Sequence, residues 1–242
     1  MRNLARLRAI AGWLESRTGL GAIVAVPMAH RVPRNTASWA YVFGSATLIL
    51  FVLQIATGIC LALVYVPSPD QAYESLEYLN YQAALGWYLR AVHFWGSNAM
   101  VLAMTLHMIQ VFLWGAHKYP RELTWVIGVV LLILTLTMGF TGYLLPFDQK
   151  SYWASVVGVN INSGGPFIGP FLSDFLRGGN EFGATTLSRF YSIHMLLIPG
   201  AIIALIGAHL YLVTKLGTTA PPWGKPEKGD PQVEVERPRV EV

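Results

Sequence analysis

One uncharged apolar stretch that contains two histidines constrains this chain more than any other feature. The 24 residues of 91–114 include no Asp, Glu, Lys or Arg, which is long enough for a helix to cross a bilayer. His93 and His107 interrupt this stretch. On a helix they are about four turns and roughly 21 Å apart, and they lie within about 40° of the same face. An ionisable side chain inside a span is costly, so both histidines are candidate functional groups.

A second apolar stretch carries a matching pair, His194 and His209, fifteen residues apart. One histidine in a span is often only a hydrogen-bonded residue of the bundle. Two helices with matching pairs instead indicate two flat ligands clamped between them. Haem iron accepts imidazole on both faces, and helix bundles build cofactor sites from facing helices. Four of the six histidines fit this arrangement.

The composition is that of an integral membrane protein. The chain is 54% apolar with 12% charged residues, whereas a soluble domain carries about 25% charged residues. Four uncharged stretches are long enough to span, at about residues 39–66, 91–114, 123–147 and 190–214. We therefore predict an all-α membrane protein built as a four-helix transmembrane bundle.

Charge distribution predicts the orientation. Six arginines precede the first span, the second loop carries Lys118 and Arg121, and Lys215, Lys225 and Lys228 follow the fourth span. The first loop, 67–86, contains acidic residues without Lys or Arg. The positive-inside rule places both termini on the cytoplasmic, electronegative side. The net charge of +4 therefore reflects topology, and we expect no nucleic-acid partner.

Three parts are predicted along the chain. Residues 1–35 form an amphipathic segment on the membrane surface, 36–217 form the four-span domain, and 218–242 form a flexible Pro-rich tail. The long third loop, 148–189, is expected to carry short helices, including one over 167–176. Pro199 is expected to kink the fourth span, which would bring His194 and His209 back to one seam.

The topology decides which histidines pair. Spans two and four both start on the electropositive side, so His93 matches His194 in depth and His107 matches His209. Arg90 precedes His93 by one turn, where it would hold a haem propionate or serve as an interfacial anchor.

Several motifs resemble the N-terminal, haem-bearing part of cytochrome b. They are QIATG at 54–58, RELTW at 121–125, TGYLLP at 141–146 and LSRFYSIH at 187–194. The resemblance covers about residues 33–217. The fifteen-residue spacing of the last two histidines is similar to that of the short, chloroplast-type form, cytochrome b6, whose C-terminal spans are a separate subunit.

The resemblance implies a di-haem cytochrome b subunit of a quinol–cytochrome c or plastocyanin-type oxidoreductase. Such a subunit moves electrons across the membrane from a quinol oxidation site to a quinone reduction site and contributes to proton translocation. The implied partners are a Rieske iron–sulfur protein, a separate C-terminal cytochrome b subunit with the PEWY glutamate, and a c-type cytochrome, in a dimeric complex. The implied location is a bacterial inner membrane or a thylakoid-type membrane, and the chain alone is not expected to oxidise quinol.

The resemblance also assigns residues. His93 and His194 would bind the electropositive-side b-type haem non-covalently, and His107 and His209 the electronegative-side haem. Residues 164–174 would border the quinol oxidation site. The remaining cofactor-binding assignments are a propionate contact, an interior polar residue and four ring-clearance glycines: Arg90, Gln54, Gly44, Gly58, Gly96 and Gly142.

Three positions depart from the family pattern. Val42 stands where chloroplast-type proteins attach an extra haem through cysteine, so we expect no covalent haem, and Cys60 is too far along the span to replace it. Gln110 replaces an arginine near the electronegative-side haem propionate, with Arg121 or Lys215 as candidates to compensate. The usual LPW motif is LPF here, ending at residue 147.

Two other functions are compatible with paired histidines in membrane spans. Other quinone-linked enzymes, such as formate dehydrogenases and hydrogenases, use di-haem membrane anchors. A haem-free transporter or structural subunit with polar bundle histidines is the third possibility. RELTW, TGYLLP and the long third loop favour cytochrome b over both.

Replacing His107 by leucine tests the paired-histidine assignment. Leucine cannot bind iron, so the variant is expected to lose one haem while the other largely persists, because each site has its own ligands. Haem content per purified chain measures this. Unchanged haem content would contradict the assignment.

Overall fold

The computed structural model describes residues 2–18 and 38–219, which form helices joined by loops and contain no β-strand. Helix α1 spans Arg2–Thr18, and a short 3-10 turn at Ser38–Tyr41 precedes the bundle. The following helices are α2 (Val42–Ala62), α3 (Ala72–Tyr81), α4 (Gly86–Leu113), α5 (Glu122–Tyr143), α6 (Gln149–Ser163), α7 (Gly169–Arg177), α8 (Ala184–Ser192) and α9 (Ile198–Leu216). A π-helical segment, Ile193–Leu197, joins α8 to α9. The all-α fold is therefore confirmed.

Four helices are long and apolar enough to cross a membrane, as predicted. They are α2, α4, α5 and the continuous helix Ala184–Leu216. Helix α4 begins five residues before the predicted span, at Gly86, where a Cβ atom would collide with the carbonyl of Leu79 in α3. Glycine at this position thus allows α3 to pack against the start of the second span.

The spans pack as two pairs. Helix α2 packs mainly against α4, and α5 packs mainly against α9. Many large apolar side chains point outward, as expected for lipid-facing surfaces, including Ile49 at 68% and Leu63 at 82% exposure. The histidine-bearing helices α4 and α9 thus each have their own partner span.

The third loop folds against the ends of α5 and the fourth span. Fully buried apolar side chains concentrate there, namely Leu144, Val159, Leu187 and Phe190. Tyr65, just after α2, donates its hydroxyl to the Leu145 carbonyl at 2.6 Å and thereby links the first and third spans. Burial raises the pKa of Tyr65, so its phenol stays protonated as a donor.

Short helices fill the third loop, as expected, but they cover more of it than the predicted segment 167–176. That segment corresponds to α7, and α6 precedes it. Asp148 caps α6 by accepting a hydrogen bond from the Ser151 amide at 2.7 Å. Gly169 lets the two helices meet closely, since a Cβ there would lie 2.5 Å from the Asn162 carbonyl oxygen.

The π-helical segment compensates for the fifteen-residue spacing of the two histidines in the fourth span. His194 lies inside it, and the Ile198 amide bonds to the Ile193 carbonyl, five residues back. Pro199 follows at once and has no amide hydrogen to donate. A π turn accommodates one extra residue. The fifteen residues from His194 to His209 therefore behave as fourteen, the spacing of His93 and His107.

Helix α1 lies within the predicted amphipathic segment 1–35. Its Arg17 guanidinium lies 4.7 Å from the Trp13 ring centre. Its position on a membrane surface stays a prediction. The rest of the predicted surface segment, 19–35, and most of the tail, 220–242, lie outside the described residues.

Deleting Leu197 tests the role of the π segment. The deletion is expected to convert the segment to a regular α-helix and to keep both histidine levels aligned, because the extra residue is removed where it is accommodated. Haem content and thermal stability in detergent measure this.

Deletion of Leu102, an exposed residue of α4 between His93 and His107, is the matched control. It should rotate one histidine by about 100° and reduce haem content. Equal loss of haem in both deletions would contradict the proposed role of the π segment.

Candidate cofactor-binding site

Helix α4, the π segment and α9 direct the four histidines into the bundle. His194 is buried, and His93, His107 and His209 are partly buried. The ring centres of His93 and His194 are 6.5 Å apart, with an interplanar angle of 73°. Two imidazoles that bind one metal atom from opposite sides, through bonds of about 2 Å, have ring centres roughly 6 Å apart. His107 and His209 are also within electrostatic reach of each other. The structure therefore brings the histidines together in the pairs that topology predicted.

Each histidine ring faces a glycine of a neighbouring span. A Cβ atom built on the glycine would lie close to the Cε1 atom of the imidazole in every case. These distances are 3.2 Å for Gly44 and His107, 3.2 Å for Gly58 and His93, 2.6 Å for Gly142 and His194, and 3.5 Å for Gly128 and His209. The glycines thus leave room for the rings, and any flat ligand held by the rings would lie against bare backbone.

Gly128 is the residue that the motifs did not indicate. It lies in the third span within the apolar run VIGVV, which follows the RELTW motif and belongs to none of the quoted motifs. The only available signal was its spacing of fourteen residues from Gly142, which equals the spacing of Gly44 and Gly58.

Gly96 has a different neighbour from the other predicted clearance glycines. A Cβ there would collide with the side-chain amide of Gln54. Gln54 is 8% exposed, so its side chain lies in the interior of the bundle, as predicted. Gly96 and Gln54 together form a close contact between the first two spans, one turn inward from His93.

Hydrogen bonds fix the tautomers of one histidine pair. The Nδ1 atom of His194 lies 3.0 Å from the Met138 carbonyl oxygen, which can only accept, so Nδ1 carries the proton. The Nδ1 atom of His93 lies 2.9 Å from the Thr57 hydroxyl, which itself donates to the Leu53 carbonyl at 2.7 Å. Both rings therefore leave the Nε2 lone pair available for a metal ion.

The charged candidates lie near the ends of the spans. Arg90 is partly buried at the start of α4 and lines a shallow pocket with Trp87 and Phe94. Arg121 is buried and donates to the carbonyls of Leu216 and Gly217 at 3.2 and 3.3 Å, so its guanidinium closes the end of α9.

The remaining positions that the sequence singled out lie on three different spans. The Lys215 ammonium lies 5.8 Å from the Tyr211 ring centre on its own helix. Gln110 is partly buried, three residues after His107. Val42 is the first residue of α2, and Cys60 lies eighteen residues further, or about 27 Å along the helix axis.

Comparison with known proteins identifies the family. The profile described as "Cytochrome b/b6/petB" matches residues 28–217. The chain is 40% identical to the cytochrome b6 of Heliobacterium modesticaldum, over 86% of this chain and 99% of that protein. It is 41% identical to a "Cytochrome bc complex cytochrome b subunit" of Chlorobaculum thiosulfatiphilum, over 88% of this chain and 50% of that protein.

A solved structure described as "Hyperthermophilic respiratory Complex III" is similar in fold, with a TM-score of 0.80 and 30% identity over 90% of this chain and 58% of that one. The chain therefore belongs to the cytochrome b family. It is a cytochrome b subunit of a quinol oxidoreductase and works as part of a complex.

Gly142→Ala tests the clearance contact. The added methyl would lie 2.6 Å from the His194 ring, so the variant is expected to displace the ring and to lose or perturb one haem. Haem content and the reduced-minus-oxidised spectrum measure this.

Gly139→Ala is the matched control on the same helix, because nothing lies within 4 Å of its Cβ position. It should bind haem normally and be slightly more stable, since alanine favours helix over glycine by about 1 kcal/mol. Equal haem spectra in both variants would contradict the clearance role of Gly142.

Proposed function

We propose that this chain binds two non-covalent b-type haems and conducts electrons across the membrane between a quinol oxidation site and a quinone reduction site. One haem is held by His93 and His194 and the other by His107 and His209. The observation that carries the proposal is the set of four histidine–glycine contacts, arranged as two levels that are fourteen residues apart on three spans and fifteen on the fourth.

The residues at each level fit a haem. Two imidazoles approach from opposite helices, and glycines on the other two spans remove the side chains that would press on the imidazoles and the ring. A haem iron bound by two imidazoles supplies one-electron transfer with its coordination unchanged. The chain's contribution is to hold the ligands in place, to bury them and to set their hydrogen bonds.

A buried layer separates the two levels. It contains one residue from each span, at the midpoint between the levels: Phe51 at 6%, Met100 at 5%, Thr135 at 2% and Ile202 at 2% exposure. The layer carries no charged group, and its side chains exclude water and ions from the centre of the bundle. The two levels lie about 20 Å apart along the helix axis, and these four side chains fill the space between them.

The ends of the bundle are assigned different roles. Arg90 holds a propionate at the first level, where its positive charge meets a carboxylate. Gln110 supplies only an amide at the second level. Because Arg121 binds the end of α9, Lys215 is the cation that remains to meet a propionate there. Both termini lie on the electronegative side, as charge distribution indicates.

Quinol oxidation needs groups outside this sequence. The proposed partners are a Rieske iron–sulfur protein, a C-terminal cytochrome b subunit carrying the PEWY glutamate and a c-type cytochrome, in a dimeric complex. The exposed apolar residues of α7, Phe171 at 74% and Phe175 at 44%, lie at the end of the bundle where the oxidation site is proposed.

Haem content per purified chain is the experiment that tests the proposal. Two haems that acid–acetone extracts, with a b-type reduced-minus-oxidised spectrum, are expected. A preparation that retains its fold without haem would overturn the proposal. A third, non-extractable haem would contradict only the expectation drawn from Val42.

A further inference from the structure

The two histidine levels differ in what contacts the Nδ1 atoms. At the first level, threonine hydroxyls lie beside both rings, Thr57 at 2.9 Å from His93 and Thr141 at 3.2 Å from His194. At the second level, among the described residues, no hydrogen bond joins Nδ1 of His107 or His209 to a hydroxyl. The polar groups that interact with these rings are the Gln110 side chain at His107 and the Thr124 backbone at His209.

The difference follows from one sequence position. Each threonine immediately precedes the glycine that faces the same histidine, in the dipeptides 57–58 and 141–142. The corresponding positions at the second level hold Phe43 and Ile127, which precede Gly44 and Gly128. Neither of these side chains can accept a hydrogen bond from an imidazole.

The threonine hydroxyls are oriented to accept. Thr57 donates its proton to the Leu53 carbonyl at 2.7 Å, and Thr141 donates to the Thr137 carbonyl at 2.9 Å. Each hydroxyl has one proton, so its oxygen faces the histidine with a lone pair. Both threonines are buried, at 5% and 0% exposure, so water does not compete for the imidazole N–H.

We propose that Thr57 and Thr141 are positioning residues that hold the rings of His93 and His194 through their Nδ1–H groups and so lower the redox potential of the cofactor at this level relative to the other. The inference rests on the two-haem proposal above. It extends that proposal by assigning the difference between the sites to two hydroxyls.

The physical reason is the basicity of the ligand. An acceptor at Nδ1–H makes the imidazole a stronger electron donor through Nε2, which favours the oxidised metal. Two such hydroxyl acceptors act at the first level. A backbone partner is common to both levels, Met138 at His194 and Thr124 at His209, so the hydroxyls are what distinguishes them. A lower potential at the first level makes electron transfer toward the second level favourable.

Two other buried threonines provide matched controls. Thr47 in α2 donates to the Phe43 carbonyl at 2.9 Å, and Thr135 in α5 donates to the Leu131 carbonyl at 2.8 Å. They share the helices and the backbone hydrogen bonding of Thr57 and Thr141. Within the part of the chain that the structure describes, neither hydroxyl bonds to a histidine. Valine has the same shape as threonine without the hydroxyl, so all four sites can be changed alike.

The experiment is a redox titration of the haems in the membrane-bound complex, with electron paramagnetic resonance spectra of the oxidised state. Thr57→Val and Thr141→Val are expected to raise the midpoint potential of one haem and to shift its low-spin signal. At the wild-type midpoint, the reduced-to-oxidised ratio of that haem should rise several-fold. Thr47→Val and Thr135→Val should match the wild type.

Serine variants separate the hydroxyl from the shape of the side chain. Thr57→Ser and Thr141→Ser are expected to keep the wild-type potential and haem content. Serine variants that lose haem as valine variants do would overturn the inference, as would valine variants with wild-type potentials and spectra. Absence of haem in the wild type would instead overturn the two-haem proposal on which the inference rests.

Discussion

The structure depends on one contact that is repeated four times, an imidazole ring against the backbone of a glycine on the next span. A polar ring inside a membrane span needs a partner, and a flat cofactor needs two bare helix surfaces. Histidine on α4 and α9 supplies the polar rings, and glycine on α2 and α5 supplies the bare helix surfaces. The glycines of α2 and α5 and the histidines of α4 repeat at fourteen residues, and those of the fourth span at fifteen with a π turn between them, so the contacts fall at two depths.

That geometry restricts the rest of the bundle. The fourth span carries its histidines fifteen residues apart, and the π turn at 193–197 accommodates the additional residue directly before Pro199. At the centre, one buried residue from each span fills the space between the levels. At the end of α9, the buried Arg121 binds two carbonyls and holds the third and fourth spans together. Each of these features keeps the histidine seam aligned.

The two levels are alike in ligands and unlike in surroundings. Threonine precedes the glycine at one level, and phenylalanine or isoleucine precedes it at the other. The first level therefore has hydroxyl acceptors beside both imidazoles. In a path for electrons, such an asymmetry gives a direction, because a stronger donor ligand favours the oxidised iron. Direction matters here because the chain is a cytochrome b subunit of a quinol oxidoreductase, which transfers electrons.

The sequence by itself determined the membrane class and the four spans, since hydropathy and length are properties of single helices. Its topology predicted the histidine pairs, and its resemblance to cytochrome b indicated three of the four glycines that face histidines. Only the tertiary structure decided the role of Gly128, the neighbour of Gly96, the π turn in the fourth span and the extent of helix in the third loop. It also placed the Arg121 guanidinium on the end of α9, where sequence left it as a candidate for a propionate. These features depend on which side chain of one helix meets which backbone of another, and the distances that decide this arise only when the helices pack.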